Sequence, residues 1–357
     1  MTPTAQPGNR ITDVDGIEVG HYQRLDDRVS VAGEQPGSGW ATGTTVVTVP
    51  DGATTAVDVR GGGPGTRETD LLDPVNTVRG ATAIVLTGGS AYGLAAADGV
   101  MAGLEAAGRG LPMDANGHVV PIVPAAVIFD LPVGGWTQRP DAGFGRRALE
   151  AAGRDFGVGS VGAGTGARAG ALKGGVGTAS LTLDDGPAQG RTIGALVVAN
   201  PVGAVIDPAT GLPWGGEDLE HHGLGAPEAG QIAALAQLSA KGTVLNTTIG
   251  VIATDAALSV AGTRRLAMAG HDGLGRAIRP AHSPLDGDTL FAVATGTADG
   301  PPPPPMPAGM DADTPVVAAL GAAAAVVVQR AIVAAVRHAS PVAGIPAYRE
   351  LLSSALR

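Results

Sequence analysis

The sequence predicts a layered α+β fold in which short strands and Ala-rich helices stack around a core of small side chains. Three observations predict it. Segments rich in Val, Ile and Thr recur between apolar helical stretches, without the strict strand–helix alternation of a doubly wound sheet. Glycine supplies 57 of 357 residues, more than twice the usual ~7%, and follows no three-residue period; that excludes collagen and suits tight turns and close backbone approach. Aromatic residues make up only 3%, so Ala, Val, Leu and Ile must fill the core.

In chain order, a strand-like run covers Ile11 to Tyr22 around the turn Asp15-Gly16, and strands follow at Thr44–Val49, Ala56–Val59 and Ala81–Leu86. Gly88-Gly89-Ser90 opens a helical segment, AYGLAAADGVMAGLEAAG, with Ser90 as its cap. Val119–Leu131 is an extended apolar run punctuated by prolines, and Gly157 to Gly177 is a Gly-rich tract of loops joining short segments. Strands resume at Gly177–Leu183 and Thr192–Ala199, then a helix at Gln231–Ser239 and a β-branched strand at Thr247–Thr254. A helix over Ser259–Gly270, a strand over Thr289–Thr295 and a long helix over Thr314–His338 complete the set. A Pro-rich linker occupies 300–313, its low-complexity part running from Gly300 to Pro305. No repeat of 20–50 residues is present.

Composition narrows the function classes. The net charge of −10 repels phosphate backbones, and no Lys/Arg cluster is interleaved with aromatics, so nucleic acid is not an expected partner. With no cysteine, disulfides, thiolate metal sites and Cys nucleophiles are excluded, which fits a reducing cytoplasm. The N-terminus lacks the basic and apolar regions of a signal peptide. The most apolar stretch, Val316 to Val328, is too short to span a bilayer and reads as a buried helix, so no membrane partner is expected.

Several motifs fail on inspection. Gly162, Gly164 and Gly166 follow Val158–Val161, but no convincing helix or closing acid completes a dinucleotide site, and Lys173-Gly174 breaks the Walker pattern. The seven histidines are dispersed, and His221-His222 as neighbours would point apart on a helix. Asp286-Gly287-Asp288 lacks the further carboxylates of a cation loop and reads on spacing alone as a polar turn, so neither metal nor cofactor is expected. Gly88-Gly89-Ser90-Ala91-Tyr92 is not a serine-hydrolase elbow, because Tyr92 replaces the final glycine.

On pattern alone Val244–Ala256, VLNTTIGVIATDA, is an ordinary buried strand. The chain nevertheless resembles the self-processing aminopeptidase/amidase family of L-aminopeptidase/D-esterases, β-peptidyl aminopeptidases and nylon-oligomer hydrolases, an N-terminal-nucleophile type. The matching stretches run in order: ITDVDGIEVGHYQ, GGGPGTRETDLL, GGSAYGLAAADGVM, VPIVPAAVIFDLPVGGW, GARAGALKGGVGTAS, ALVVANPVG, NTTIGVIATDAALS and RPAHSPLDGDTLFA. They cover most of residues 11–296.

The resemblance implies a four-layer αββα sandwich, a single domain made of two chains after self-cleavage between Asn246 and Thr247. The pieces would be residues 1–246 and 247–357, about 24 and 11 kDa if 35.0 kDa is shared by residue number. The freed Thr247 would be the nucleophile, and its new α-amine, with a reference pKa of ~7.7–8.0, a candidate base. Asn200 matches an asparagine that helps hold the oxyanion. Lys173 matches a lysine near the nucleophile in nylon hydrolases, where a solvated loop lysine is the plain reading. Asp286 and Asp288 match an acid pair that orients the terminal amine and hydroxyl in nylon hydrolases, whereas β-peptide aminopeptidases carry Ser and Glu there. Phe129 stands where some members have a tyrosine, and a phenyl ring cannot donate a hydrogen bond.

The resemblance therefore implies hydrolysis of small peptides or ω-amino-acid amides, including 6-aminohexanoate oligomers, by a homotetramer or larger homo-oligomer. A second reading is an acyltransferase like ornithine acetyltransferase, which self-cleaves at a Lys-Gly-Thr-Met-type motif; Lys241-Gly242-Thr243-Val244 is a partial match. A third is an uncleaved, non-enzymatic binding protein.

Overall fold

The structure is a computed structural model, describing residues 8–216, 218–238, 246–302 and 304–357. The Lys241-to-Val244 motif, the end of the expected helix at Ser239 and one proline of the linker lie outside the described residues.

The first half supplies strands β1 (Glu18–Leu25), β2 (Ala41–Thr48), β3 (Thr54–Val59), β4 (Thr66–Arg67) and β5 (Ala83–Thr87), then helix α1 (Ala96–Ala106). Short strands β6 (Leu111–Pro112), β7 (Val119–Val120) and β8 (Ala125–Val127) precede α2 (Ala142–Glu150). The hairpin β9 (Arg168–Ala169) and β10 (Leu172–Lys173) leads into β11 (Gly175–Thr182) and β12 (Thr192–Asn200), followed by α3 (Ala229–Ala236). The last part holds β13 (Thr247–Thr254), α4 (Val260–Ala277), β14 (Thr289–Ala294), α5 (Thr314–Arg337) and α6 (Tyr348–Leu351).

Two five-stranded sheets stack face to face, in the orders β1-β2-β5-β8-β4 and β11-β12-β13-β14-β3. Each is antiparallel except for one parallel pair, β5 with β8 and β13 with β14. The two-residue period of the strands sorts side chains between layers. Val47, Ile84 and Leu86 of one sheet meet Leu196, Val198, Ile249 and Val251 of the other in the central core. Val46 and Val85 face outward onto α1 and α2, while Val197, Ile252 and Leu290 face outward onto α4 and α5. With both sheets covered on both faces, β2 and β13 are buried along their whole length. The order helix, sheet, sheet, helix is the αββα sandwich expected.

Glycine is what lets these layers close. A Cβ at Gly177 on β11 would fall 2.0 Å from the carbonyl oxygen of Ala331, so α5 rides directly on the strand backbone. Among the described residues α5 is the one helix long and apolar enough to cross a bilayer, but it is mostly buried against β11, β12 and α4.

Several expectations need correction. Ile11–Asp13 forms a 3-10 turn and the strand begins only at Glu18. Ser90 does not cap the following helix: Gly89 holds the cap position with φ 84°, no side-chain cap bond forms, and Ser90 itself adopts φ 53° at the start of a 3-10 turn through Ala95. Within Val119–Leu131 only two short strands form. Helix α2 has no counterpart in the sequence reading, because Gly143 and Gly145 weaken its local propensity. Tertiary packing overrides that weakness: a Cβ at Gly145 would lie 1.8 Å from the Ala96 carbonyl on α1, and Asp141 caps the Phe144 amide at 3.1 Å.

Candidate active site

The site lies at one end of the second sheet, where β12 stops and β13 starts. Thr247, the first residue of β13, pairs with Asn200, the last of β12. On the other side of β13 the ladder to the turn before β14 begins one residue earlier. The Asn246 amide donates to the Leu285 carbonyl (2.9 Å), and the Gly287 amide donates to the Asn246 carbonyl (3.0 Å). The Thr247 hydroxyl also donates to that Asn246 carbonyl oxygen. A hydroxyl and a backbone N–H thus converge on one peptide carbonyl.

The Asp286-Gly287-Asp288 turn is buried rather than a solvated surface turn. Asp288 Oδ1 accepts the Thr248 amide at 2.8 Å, while its Oδ2 accepts the His282 amide at 3.2 Å and His282 Nδ1–H at 2.8 Å. Its carboxylate therefore contacts the residue after Thr247. Asp286 Oδ1 accepts the Val202 amide at 3.1 Å, joining the turn to the segment beyond Asn200. The Gly61–Gly65 loop straps the same turn: Gly61 and Gly63 amides donate to the Asp288 and Asp286 carbonyls at 3.2 and 2.9 Å. The fit is close. A Cβ at Gly287 would stand 2.9 Å from Thr247 Oγ1, and one at Gly61 2.2 Å from the Asp288 nitrogen.

Asn200 Oδ1 accepts the Arg168 amide (2.9 Å) and its Nδ2 donates to the Phe129 carbonyl (3.3 Å). Lys173 corrects the solvated-loop reading: it is fully buried, and its ammonium donates to the Gly164 and Gly174 carbonyls at 2.8 Å each. The adjoining Gly174 backbone lies against the end of β12, where a Cβ would fall 2.0 Å from the Ala199 carbonyl.

A cleft of about 120 Å³ opens onto Thr247, walled by Gly63–Gly65, Ser90, Val127 and Phe129. The Phe129 ring meets Trp136 edge-on at 6.3 Å. Ser90 is a residue that sequence reasoning misplaced; a non-glycine residue in the left-handed region beside a cleft is the structural signal for it. His282 was missed as well, although it stands within the quoted RPAHSPLDGDT stretch. Behind it His271 lies 4.9 Å away, ring to ring, and burial pushes His271 down to about 4, so it stays neutral. No group of three or more His, Asp or Glu side chains able to hold a metal occurs among the described residues.

Residues 9–349 match the model of peptidase family S58. An uncharacterized aminopeptidase of Mycobacterium bovis is 61% identical over 351 residues, covering 97% of this chain and 99% of its own. A 6-aminohexanoate-oligomer endohydrolase of Kocuria sp. is 36% identical over 268 residues, covering 73% and 71%. In fold the chain is similar to the l-aminopeptidase d-ala-esterase/amidase of Ochrobactrum anthropi, whose structure is described as a variant of the Ntn hydrolase fold. That likeness has a TM-score of 0.67 and 23% identity over 95% of this chain and 89% of the other.

Proposed function

Since the chain belongs to peptidase family S58 and is a hydrolase of peptide or amide bonds, we propose that it cuts itself between Asn246 and Thr247 and then uses Thr247 as its nucleophile. The observation that carries this reading is the convergence of the Thr247 hydroxyl and the Gly287 amide on the Asn246 carbonyl. In the self-cleavage step Thr247 Oγ1 attacks the Asn246 carbonyl carbon. The Gly287 N–H supports the developing oxyanion, and the C–N bond breaks as the Thr247 nitrogen takes up a proton. The resulting ester is hydrolysed by water, leaving an Asn246 carboxylate and a free amine and hydroxyl on Thr247.

The new α-amine titrates near neutrality and can take the hydroxyl proton when Thr247 attacks a substrate amide. The acyl-enzyme so formed is then hydrolysed. Asn200 is assigned to the oxyanion: it stands opposite Thr247 at the end of β12, and a side-chain amide N–H is the kind of donor that charge calls for. Lys173 lies buried behind the end of β12, Asp288 anchors the amide that follows the nucleophile, and Asp286 ties the same turn to Val202 beyond Asn200.

The substrates proposed are small peptides and ω-amino-acid amides, including 6-aminohexanoate oligomers, hydrolysed by a cytoplasmic homotetramer or larger homo-oligomer. The acid pair and the likeness to a 6-aminohexanoate-oligomer endohydrolase support the ω-amino-acid class. Intact mass of the purified protein tests the cut: two chains divided at Thr247 are expected. Cleavage before Thr243 would favour the acyltransferase, and a single full-length chain without turnover would favour a binding protein. A panel of α-aminoacyl, β-aminoacyl and 6-aminohexanoyl amides then ranks the substrates.

A further inference from the structure

Asp288 accepts the Thr248 amide through Oδ1, and that amide belongs to the peptide unit carrying the Thr247 carbonyl. Whatever fixes the carboxylate plane therefore fixes the first peptide of β13 and, with it, the Thr247 side chain. A carboxylate held by one oxygen can pivot, so the second oxygen decides the aim. Both remaining contacts of that kind come from one residue: His282 binds Asp288 Oδ2 through its own amide and through Nδ1–H. Asp288 is buried, which strengthens such charge-assisted bonds.

His282 also sits where a β-carbon is costly. Its φ of 53° lies in the left-handed region, which Gly and Asn occupy more readily. Nothing in a turn alone calls for an imidazole there, whereas the reach of Nδ1 to Asp288 does. The ring rests edge-on against His271, 61° out of plane. The Nε2–H of His271 donates to the Asp58 carbonyl at the end of β3 (3.1 Å). Thus the imidazole of His282 is braced from behind by a ring that is itself tied to the neighbouring strand. The charged groups beyond are Asp58 and Arg60, paired with each other at 2.7 Å.

We propose that His282 is a positioning residue: it locks Asp288, and Asp288 locks the peptide that presents Thr247, for both self-cleavage and turnover. This rests on the reading of Thr247 as the nucleophile.

The test uses full-length His282→Gly, His282→Asn and His282→Asp. Glycine relaxes the left-handed backbone and deletes the Nδ1 donor while keeping the backbone amide. Asparagine keeps a donor near the Nδ1 position and tolerates the backbone. Aspartate tolerates the backbone but offers an acceptor to Asp288. Three quantities are followed: thermal midpoint, the rate of chain cutting by intact mass, and kcat and KM on a 6-aminohexanoyl amide.

His282→Gly and His282→Asp are expected to lose about tenfold or more in cutting rate and kcat, with KM within about twofold, and His282→Asn to recover most of the loss. Wild-type rates in His282→Gly, or equal loss in His282→Asn and His282→Asp, would overturn the role of His282 alone. If His282→Gly does not fold, the Asn and Asp pair decides. A wild-type chain that neither splits nor hydrolyses any amide would overturn the Thr247 reading, and this proposal with it.

Discussion

Thr247 and Asn200 face each other as the terminal pair of an antiparallel ladder, so the proposed nucleophile and oxyanion donor are placed by sheet register rather than by loops. A one-residue slip of β13 against β12 would turn the Thr247 side chain to the opposite face from that of Asn200. The register is secured by eight successive pairs from Ile193–Thr254 to Asn200–Thr247. On this rigid frame Thr247→Ala should fold but remain one chain and hydrolyse nothing. Thr247→Ser should still split, since a hydroxyl is retained. Intact mass decides it: a Thr247→Ala protein that separates into two chains would place the nucleophile elsewhere.

Asp288→Ala should slow self-cleavage more than it harms folding. It strands the Thr248 amide and the His282 donors, a stability cost of about 1–3 kcal/mol. The loss of aim at Thr247 should add a fall in cutting rate of about tenfold or more. Urea melts and a mass time course on the same preparation separate the two effects. Maturation at the wild-type rate would reduce Asp288 to a fold-stabilising residue.

Ser90 lines the same cleft as Phe129 and Thr247, and where the Phe129 ring offers no donor Ser90 carries a hydroxyl. Ser90→Ala keeps the same left-handed backbone and removes only the hydroxyl, so its melting point should stay near wild type while kcat falls about tenfold. Ser90→Gly should lose the same activity with no penalty from the backbone. Full activity in both variants would show that the hydroxyl takes no part.

How much of this was legible beforehand follows from which interactions are local. The strand at Thr247–Thr254 could be read residue for residue, since β-branched runs declare themselves, and Asn200, Asp286 and Asp288 were singled out as candidates through ordered motifs. Burial of Lys173 could not be read, because its two carbonyl partners come from a Gly-rich tract whose path depends on the sheet behind it. The same holds for α2, whose glycines look like breakers until α1 is packed against them. Ser90 resembled a cap by residue type, yet the left-handed Gly89 takes that place. His282 lay inside a recognised motif but six residues from Asp288, and only the turn between them brings imidazole and carboxylate together.

Acid should destabilise the protein well above the carboxylate range. Burial lowers His21, His271 and His338 to about 4 and His222 to about 3, against an unfolded value near 6.5. Between those values the unfolded chain binds protons that the folded chain refuses, so stability rises with pH across that window and is fully present above about 6.5. Falling from pH 7 to pH 5 should cost about 1–2 kcal/mol for each such histidine, before any contribution from the active site. His21 is the cleanest probe: it is the ring that burial holds down to about 4, and in its neutral form Nε2–H donates to the Gly157 carbonyl at 3.1 Å while Nδ1 accepts from the Thr45 hydroxyl at 2.9 Å. His21→Gln should therefore be less stable at pH 7 yet lose less on acidification than wild type. Urea unfolding at the two pH values measures both slopes, and a wild-type stability that is flat or higher at pH 5 would contradict neutral burial of these rings.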